Sequence, residues 1–387
     1  MNTKTFTIGI KYFITLLAIC IISFYACKKH SSNDSMACRS SLNLTEEKNL
    51  SSVFSSYEII RLETTDESLI GRSINKKIKA NNKYYISFDN ITLLVFDSQG
   101  KFLHKINKIG NGPGEYTRLC DFDVLPNGKI IIQDVRKLIF YSNTGEFFKA
   151  IPLNITCFNL KVIDEDKFLI CASGEEYSIY LINGNGDILS KQLESNNRMV
   201  LGKNVAFFAF GSNQIVYQQD LSNDFLSFNT KTNDFSNINL FCREDKVLSI
   251  EKLNEYPNRR DYEKDNPNVK VIAGFASYTD YMFLAVGNQN LFECYLMNTS
   301  GNTIDYLLTE RTVDDISFTG ALNLLNFIGS DSKDNFITTI WPYEIVEGLN
   351  ENIQFKEHPN YQRIKSLFKD VEDIENENPV LIELKVK

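Results

Sequence analysis

Residues that commonly carry catalysis are unevenly represented in this chain. Three histidines occur, His30, His104 and His358, and they lie far apart in the sequence. A serine–histidine–aspartate triad needs a histidine beside its nucleophile, and zinc sites use several His or Cys residues at short spacing. Neither pattern is present. The sequence therefore predicts no catalytic residue of these kinds and no metal site.

Carboxylates are abundant, and three of them are clustered. Asp121, Asp123 and Asp134 fall near the ends of predicted strands within one short segment. Acidic residues in such places usually solvate turns or accept hydrogen bonds from neighbouring backbone amides, and we favour that interpretation. The alternative is a glycosidase that uses paired carboxylates. No DxDxDG run marks a calcium loop.

Aromatic and cationic side chains in predicted loops are the best candidates for recognition. Aromatic rings stack on sugars or peptides, and arginine binds carboxylates. The alternative is ordinary surface and packing. The predicted ligand-binding residues are Tyr116, Arg118, Arg259, Arg260, Tyr262, Trp341 and Tyr343.

The overall charge limits the class of partner. The net charge is −8 and the isoelectric point is about 5.2. This acidic balance argues against nucleic acid, or an anionic membrane surface, as the main partner. No cofactor motif is present, since Gly110–Glu115 lacks the Gly-Lys-Ser/Thr of a phosphate loop.

The N-terminus has the pattern of an export signal. Lys4 and Lys11 flank an apolar run over residues 12–26, which is short for a membrane-spanning helix. The run ends in Ala26-Cys27, which resembles the lipobox of bacterial lipoproteins. The resemblance implies a signal peptide at 1–26 and lipidation of Cys27. Polar residues then predict a flexible tether over 27–52. An ordinary secretory signal or an uncleaved anchor is the alternative.

The remaining cysteines show no metal-binding pairs. They are Cys38, Cys120, Cys157, Cys171, Cys242 and Cys294. Buried free thiols in strands are the interpretation we favour. The alternative is a disulfide between Cys157 and Cys171, which flank a predicted hairpin, because an exported protein can form disulfides.

A repeat unit organises the rest of the chain. Aromatic or apolar strands followed by Asn, Asp or Ser near a Gly recur roughly every 45 residues, and this period is typical of propeller blades. The clearest turns end at Gly100, Gly145 and Gly186. Weaker copies lie near Asn233 and Gly301, and residues 250–270 form an insertion that is predicted to be a loop.

The repeat count predicts the fold class. Five units lie between about 74 and 308, and a sixth starts near Ala321. The sixth includes a helical or irregular excursion over 343–376 and lacks an outer strand, which Tyr57–Leu62 can supply beside Pro379–Val386. We therefore predict an all-β six-bladed propeller over 53–387. Its four-stranded antiparallel blades would be closed by pairing of the N- and C-terminal strands.

Two segments connect this repeat to a known group. Ile109–Tyr116 (IGNGPGEY) resembles the Gly-x-Gly-Pro-Gly-Glu-Tyr/Phe segment of the six-bladed propeller lipoproteins of Bacteroidetes, and Glu375–Ile382 is similar to that family's ending. The resemblance implies an NHL-like or TolB-like propeller but no particular activity. The glycine-rich segment itself favours a tight crossover between blades, and a ligand loop is the alternative.

These observations predict a non-enzymatic binding or scaffold propeller. Cys27 would tether it to the bacterial envelope, at the outer membrane, and its partner would be a protein, peptide or glycan. Much of this rests on fold-level analogy. The alternative is a carbohydrate-active hydrolase or lyase with an acidic site at the pore, and a structural subunit of an envelope complex is a third class. Acidic groups with access to water at the pore would favour the enzyme.

Overall fold

The structure is a computed structural model. It describes residues 48–71, 73–194, 207–218, 223–239, 247–248, 250–288, 291–301, 303–309, 311–325, 330–371 and 373–387. These ranges belong to one compact unit. The predicted signal peptide, Cys27 and the predicted tether as far as residue 47 lie outside them. No helix within the described ranges is both long enough and apolar enough to cross a membrane.

Within these ranges, twenty-four strands form six sheets. In chain order they are β1 Phe54–Arg61, β2 Ile74–Ala80, β3 Lys83–Phe88, β4 Thr92–Asp97, β5 Phe102–Ile106, β6 Asp121–Val124, β7 Ile130–Asp134, β8 Lys137–Tyr141, β9 Phe147–Pro152, β10 Cys157–Val162, β11 Lys167–Ala172, β12 Tyr177–Asn183, β13 Ile188–Glu194, β14 Phe207–Phe210, β15 Gln214–Gln218, β16 Asp224–Asn229, β17 Phe235–Asn239, β18 Val271–Ser277, β19 Tyr281–Asn288, β20 Leu291–Asn298, β21 Thr303–Thr309, β22 Ser330–Asp331, β23 Phe336–Ile340 and β24 Val380–Val386.

The sheets are the blades of a six-bladed propeller, as the repeat predicts. Blades 1 to 5 are β2–β5, β6–β9, β10–β13, β14–β17 and β18–β21, each an antiparallel meander that runs from an inner to an outer strand. The second strand of each of these blades is a short apolar run. These strands are buried on both faces because neighbouring blades cover them, as in β7, where Ile130, Ile131 and Ile132 are fully buried.

The turns between third and fourth strands explain the repeat signature. Gly100, Gly145 and Gly186 adopt φ values of 83°, 84° and 88°, and Asn233 adopts 61°. Glycine and asparagine tolerate this left-handed conformation best. The residue that opens each turn accepts backbone hydrogen bonds, as Asp97 does from Gln99 and Lys101. The spacing of these turns therefore reports blade count directly.

The two ends of the domain close the ring. β1 pairs with β24 along its length, including Ile59 with Ile382, and β24 pairs with β23. Closure by the terminal strands is therefore confirmed. The short β22 precedes β23 in the chain and occupies the inner position next to it, but its hydrogen bonds are to β2 of blade 1, in parallel, so the sheet of blade 1 has five strands and that of blade 6 has three. Blade 6 and blade 1 thus share hydrogen bonds at the axis as well as side-chain contacts.

Helices occupy the connections that break the repeat. They are α1 Leu50–Val53, α2 Ile250–Leu253, α3 Arg259–Asp265, α4 Ala321–Leu324, α5 Pro342–Glu351 and α6 Pro359–Leu367, with 3₁₀ turns at Ile353–Phe355 and Ile374–Asn376. The insertion over 250–270 is helical where we predicted a loop, because Asn258 caps α3 by accepting from Asp261 N. The excursion before β24 is helical, as predicted.

The connections define two faces of the propeller. Strand direction alternates within a blade, so the turns between first and second and between third and fourth strands lie at one end of the blade. We call this end the hairpin face. The other connections, including those between blades, form the crossover face. Hydrogen bonds support the assignment: Asn127 N donates to Glu165 between two hairpins, and Leu119 N donates to Asn90 O between two crossover segments.

Candidate functional site

Charged side chains converge on the axis of the propeller. They come from the inner strands of blades 1, 2, 3 and 6, and we call them the central charge cluster. Its members are Lys76, Lys77, Asp121, Asp123, Lys161 and Asp331. A buried charge is costly unless it is paired. The contacts inside the cluster therefore decide whether these charges could bind a ligand or only hold the inner strands together.

One ion pair joins two inner strands. Lys161 on β10 pairs with Asp331 on β22, and its Nζ also lies 3.6 Å from Asp123 Oδ2. The pair joins the inner strand of blade 3 to β22, which is hydrogen-bonded to β2 of blade 1. The two side chains are only 14% and 13% exposed. The pair is therefore largely shielded from water.

A second pair is more deeply buried. Lys76 Nζ lies 2.9 Å from Asp121 Oδ1, with side-chain exposures of 3% and 2%. The same ammonium donates to Phe122 O at 2.8 Å. Lys76 thereby links the inner strand of blade 1 to that of blade 2.

The two aspartates of β6 bind the inner edge of β10. Asp121 Oδ2 accepts from Leu160 N, and Asp123 Oδ2 accepts from Val162 N, both at 2.8 Å. Each carboxylate also accepts the amide of the following residue in β6. These contacts satisfy backbone donors at a strand edge. The interpretation that we favoured for the clustered acids is confirmed at both positions.

Asp134 likewise accepts hydrogen bonds from backbone amides, in this case at the crossover face. Its carboxylate accepts from Thr117 N at 3.0 Å, Thr117 Oγ1 at 2.9 Å and Arg118 N at 3.3 Å. Burial would raise the pKa of Asp134, but these bonds and Lys137 outweigh it and the pKa is lowered. The carboxylate therefore stays charged and holds the segment that enters blade 2.

The electrostatics of the cluster follow from burial and pairing. Burial raises the pKa of Asp121 even though Lys76 opposes it. Burial would also raise the pKa of Asp331, but Lys161 and Lys76 lower it overall. Burial lowers the pKa of Lys77 to about 8. A glycosidase needs one acid and one base with access to water. Asp121 and Asp123 are 3% and 4% exposed, so these two residues do not provide such a pair.

The glycine-rich segment forms a tight crossover. Glu115 Oε2 accepts from Gly112 N at 2.9 Å, and the same carboxylate occupies the space that a side chain at Gly110 would need. Tyr116 is fully buried, and its hydroxyl donates to Ile91 O at 2.6 Å and Ile106 O at 3.1 Å. The motif residues thus bind each other and blade 1. The structural interpretation of this segment is supported by every one of these contacts.

The seven predicted ligand residues all lie in connections of the crossover face. Arg118, Arg260 and Tyr343 are exposed, Trp341 is half-buried, and the Arg259 side chain lies outside the described part of the structure. Tyr116 and Tyr262 are buried, the latter against Leu248 and Leu253. The residues belong to three separate connections, and no described contact brings them together.

The described cysteines are free thiols. Cys157 and Cys171 sit on paired strands, but a register shift places Cys157 opposite Ala172 and Cys171 opposite Asn159. The disulfide alternative for this pair is therefore wrong, and the expectation of free thiols is confirmed for Cys120, Cys157, Cys171 and Cys294. Burial raises the pKa of Cys157 and Cys294 to about 12. Cys38 and Cys242 lie outside the described residues.

Sequence reasoning missed two sets of residues. It did not anticipate the lysines of the central charge cluster, although INKKIKA in β2 places three lysines inside an apolar repeat. It also passed over the exposed apolar side chains that follow the turn glycines, Leu103, Phe148 and Leu189. Position within the repeat was the available indication in both cases.

Comparison with known proteins places the chain in a family. The family described as "Domain of unknown function (DUF4934)" matches residues 36–385, and the chain belongs to it. None of the curated proteins compared with the chain matches it.

One matching solved structure shares the fold. A Bacteroides fragilis protein described as a candidate exported protein has a TM-score of 0.68 at 16% identity, over 89% of this chain and 99% of that chain. A duf4221 family member from Bacteroides vulgatus has a TM-score of 0.41 at 12% identity, over 66% and 85% of the two chains. A Bacteroides caccae protein of unknown function has 0.39 at 9% identity, over 62% and 82%. At 16% identity, the first match shows only that the two chains share a fold. The other two matches have TM-scores below 0.5.

Proposed function

We propose that this DUF4934 family member is a non-enzymatic binding or scaffold propeller. It is tethered through Cys27 to the bacterial envelope, at the outer membrane, and holds a protein, peptide or glycan on its crossover face. The observation that carries the proposal is the contrast between the inner strands and the crossover connections. Lys76 and Lys161 on the inner strands are buried and paired with Asp121 and Asp331, whereas the crossover connections present exposed arginine and apolar side chains.

The connections that follow β3 and β5 offer a candidate surface on the crossover face. Ile91 and Ile109 are 41% and 49% exposed, and Arg118, in the same connection as Ile109, is also exposed. We call these three residues the recognition patch. Apolar groups next to a guanidinium are typical of protein-binding surfaces, and arginine also binds carboxylates.

Buried contacts hold the recognition patch in place. The Tyr116 hydroxyl binds the carbonyls of Ile91 and Ile106, and Asp134 accepts from Arg118 N. Leu119 N donates to Asn90 O at 2.8 Å. A surface that is already ordered loses less conformational entropy when it binds. This order supports a role for the crossover face in binding a partner.

Export and anchoring rest on the N-terminal pattern. The apolar run and Ala26-Cys27 support secretion and lipidation, and the candidate exported protein of Bacteroides fragilis shares the fold. Metabolic labelling with a fatty-acid probe tests the anchor. Label on the wild type and none on Cys27→Ser is expected. Equal labelling of both would refute lipidation at Cys27.

Affinity capture of the lipoprotein from native envelopes tests the binding role. We expect one or more proteins or glycans to be retained by the wild type and lost from an Ile109→Asp, Arg118→Glu double variant. Lys231→Ser, an exposed change in a turn of blade 4, is the control and should retain them. Equal retention by all three proteins, or turnover of a glycan panel without retention, would contradict the proposal.

A further inference from the structure

The hairpin face carries an apolar residue at one repeated position in three consecutive blades. Leu103, Phe148 and Leu189 each stand three residues after the turn glycine of blades 1, 2 and 3, and they are 42%, 58% and 49% exposed. We call them the apolar triad. The corresponding residues of blades 4 and 5 are the polar Ser236 and Asp305, because the turn of blade 5 is one residue longer and Ile304 pairs with Met297 as Phe147 pairs with Tyr141. The triad is thus restricted to half of the ring.

Lysines follow the same restriction. The hairpin between first and second strands ends in Lys83, Lys129 and Lys167 in blades 1 to 3, but in Gln214 and Tyr281 in blades 4 and 5. The ammonium group of Lys129 lies 4.5 Å from the centre of the Phe148 ring. This contact places Phe148 beside a first hairpin, and therefore toward the hairpin face. The exposed apolar residues and the lysines thus occur in the same three blades, at two different positions of the repeat.

The chain enters the domain beside the connection between blades 5 and 6. Leu50 N donates to Val313 O at 3.0 Å, and Val313 N donates to Lys48 O at 2.7 Å. Val53, just before β1, accepts from Lys387 N at 3.0 Å. A chain of about 20 residues with the composition of 28–47 would span roughly 25 Å, a reach that is compatible with either face.

We infer that the hairpin face of blades 1 to 3 rests on the surface of the lipid bilayer. Apolar and aromatic side chains enter the boundary between headgroups and acyl chains, and neighbouring lysines contact headgroup phosphates. The chain is acidic overall, so local lysines and apolar area must supply the contact. Blade 3 is expected to bind least, because Asp164 lies 3.8 Å from the Lys167 ammonium.

This inference rests on the proposed lipid anchor and adds an orientation to it. The anchor alone would leave the domain free to rotate above the membrane. With the hairpin face against the bilayer, the crossover face and its recognition patch point away from the lipid. The membrane surface is the single occupant that explains why the apolar triad and the lysines share one face.

Fluorescence quenching by brominated lipids tests the orientation. The full-length lipoprotein is placed in vesicles of brominated phosphatidylcholine and phosphatidylglycerol, as Phe148→Trp and as Ile91→Trp. The emission of native Trp341 is measured in the unsubstituted chain and subtracted. We expect the tryptophan at 148 to be quenched about twofold or more above that at 91, because interfacial residues sit within roughly 5–10 Å of the acyl boundary. Leu189→Trp repeats the test at a second triad position.

The outcomes separate the anchor from the orientation. If the wild-type chain does not float with the vesicles, lipid anchoring fails and the inference fails with it. If the chain floats but positions 148 and 189 are quenched no more than position 91, anchoring stands and the bilayer is not the occupant of the hairpin face. Strong quenching at 91 alone would show the opposite orientation.

Discussion

The centre of the propeller and its hairpin face reverse the usual distribution of polar and apolar groups. Lys76 and Asp121 are almost fully buried at the centre, whereas Phe148 and Leu189 are about half exposed at the hairpin face. Buried charges persist where each finds an opposite charge or a backbone group. Exposed apolar residues have no such internal explanation when they recur at one position in adjacent blades. The first region is accounted for by folding, and for the second we propose an occupant outside the chain.

The strongest test of this contrast removes one partner of a buried pair. Asp121→Ala leaves the Lys76 ammonium buried beside Phe122 O and also frees Leu160 N. We expect unfolding in denaturant to show a loss of about 3–5 kcal/mol. Asp164→Ala breaks the exposed pair with Lys167 and serves as the control, with an expected loss of about 1 kcal/mol or less. Similar losses for the two variants would mean that the centre is not a paired, desolvated cluster.

A second test uses the pH dependence of Lys77. Burial lowers its folded pKa to about 8, below the ordinary value of 10.5, so the unfolded chain binds more protons between these values. The unfolding free energy should therefore rise as pH increases from 8 toward 10. Lys77→Met should remove this rise and add up to about 3 kcal/mol at pH 7. Denaturant titrations at several pH values measure it. An unchanged pH slope in Lys77→Met would contradict the assignment.

A third test concerns the turn that sets the position of Phe148. Gly145 has φ +84°, and an added Cβ would meet the His104 ring at 2.9 Å. Gly145→Ala should cost about 2 kcal/mol, from left-handed strain plus this contact. Gly174 has φ +73° with open space around it, so Gly174→Ala should cost about 1 kcal/mol. Thermal and denaturant unfolding compare the two. An equal loss of unfolding free energy in the two variants would show that the Gly145 turn of blade 2 does not pack against His104 of blade 1.

The smallest expected effect completes the comparison. Leu189→Ser should change the unfolding free energy by about 0.5 kcal/mol or less, because the side chain is half exposed. Ile304→Ser, on the outer strand β21 of blade 5, should cost about 3 kcal/mol because Ile304 is 5% exposed. If Leu189→Ser were as costly as Ile304→Ser, the triad would be part of the core rather than a docking surface.

Much of the fold could be predicted because the turn chemistry repeats. Gly100, Gly145 and Gly186 mark positions where only residues tolerant of positive φ fit, so their spacing counts blades. Pairing of the chain ends followed from the missing outer strand. The helix α3 was not predicted, because its cap at Asn258 and the burial of Tyr262 depend on tertiary contacts.

The candidate site was less accessible to sequence reasoning. Side-chain direction in a connection depends on the neighbouring blade, so Tyr116 read as a surface aromatic although blade 1 buries it completely. In the sequence, the lysines of β2 and β10 resemble surface residues. Their partners Asp121 and Asp331 lie on other strands and meet them only in the folded ring. Pairs between blades that are distant in sequence leave no local pattern.

Site-specific photocrosslinking in intact cells tests the central claim, that one face binds a partner while the other rests on lipid. A photoreactive residue is placed at Ile109 on the crossover face and, separately, at Leu189 on the hairpin face. The account predicts adducts with a protein or glycan from position 109 and with lipid from position 189. Partner adducts from 189 together with lipid adducts from 109 would contradict it.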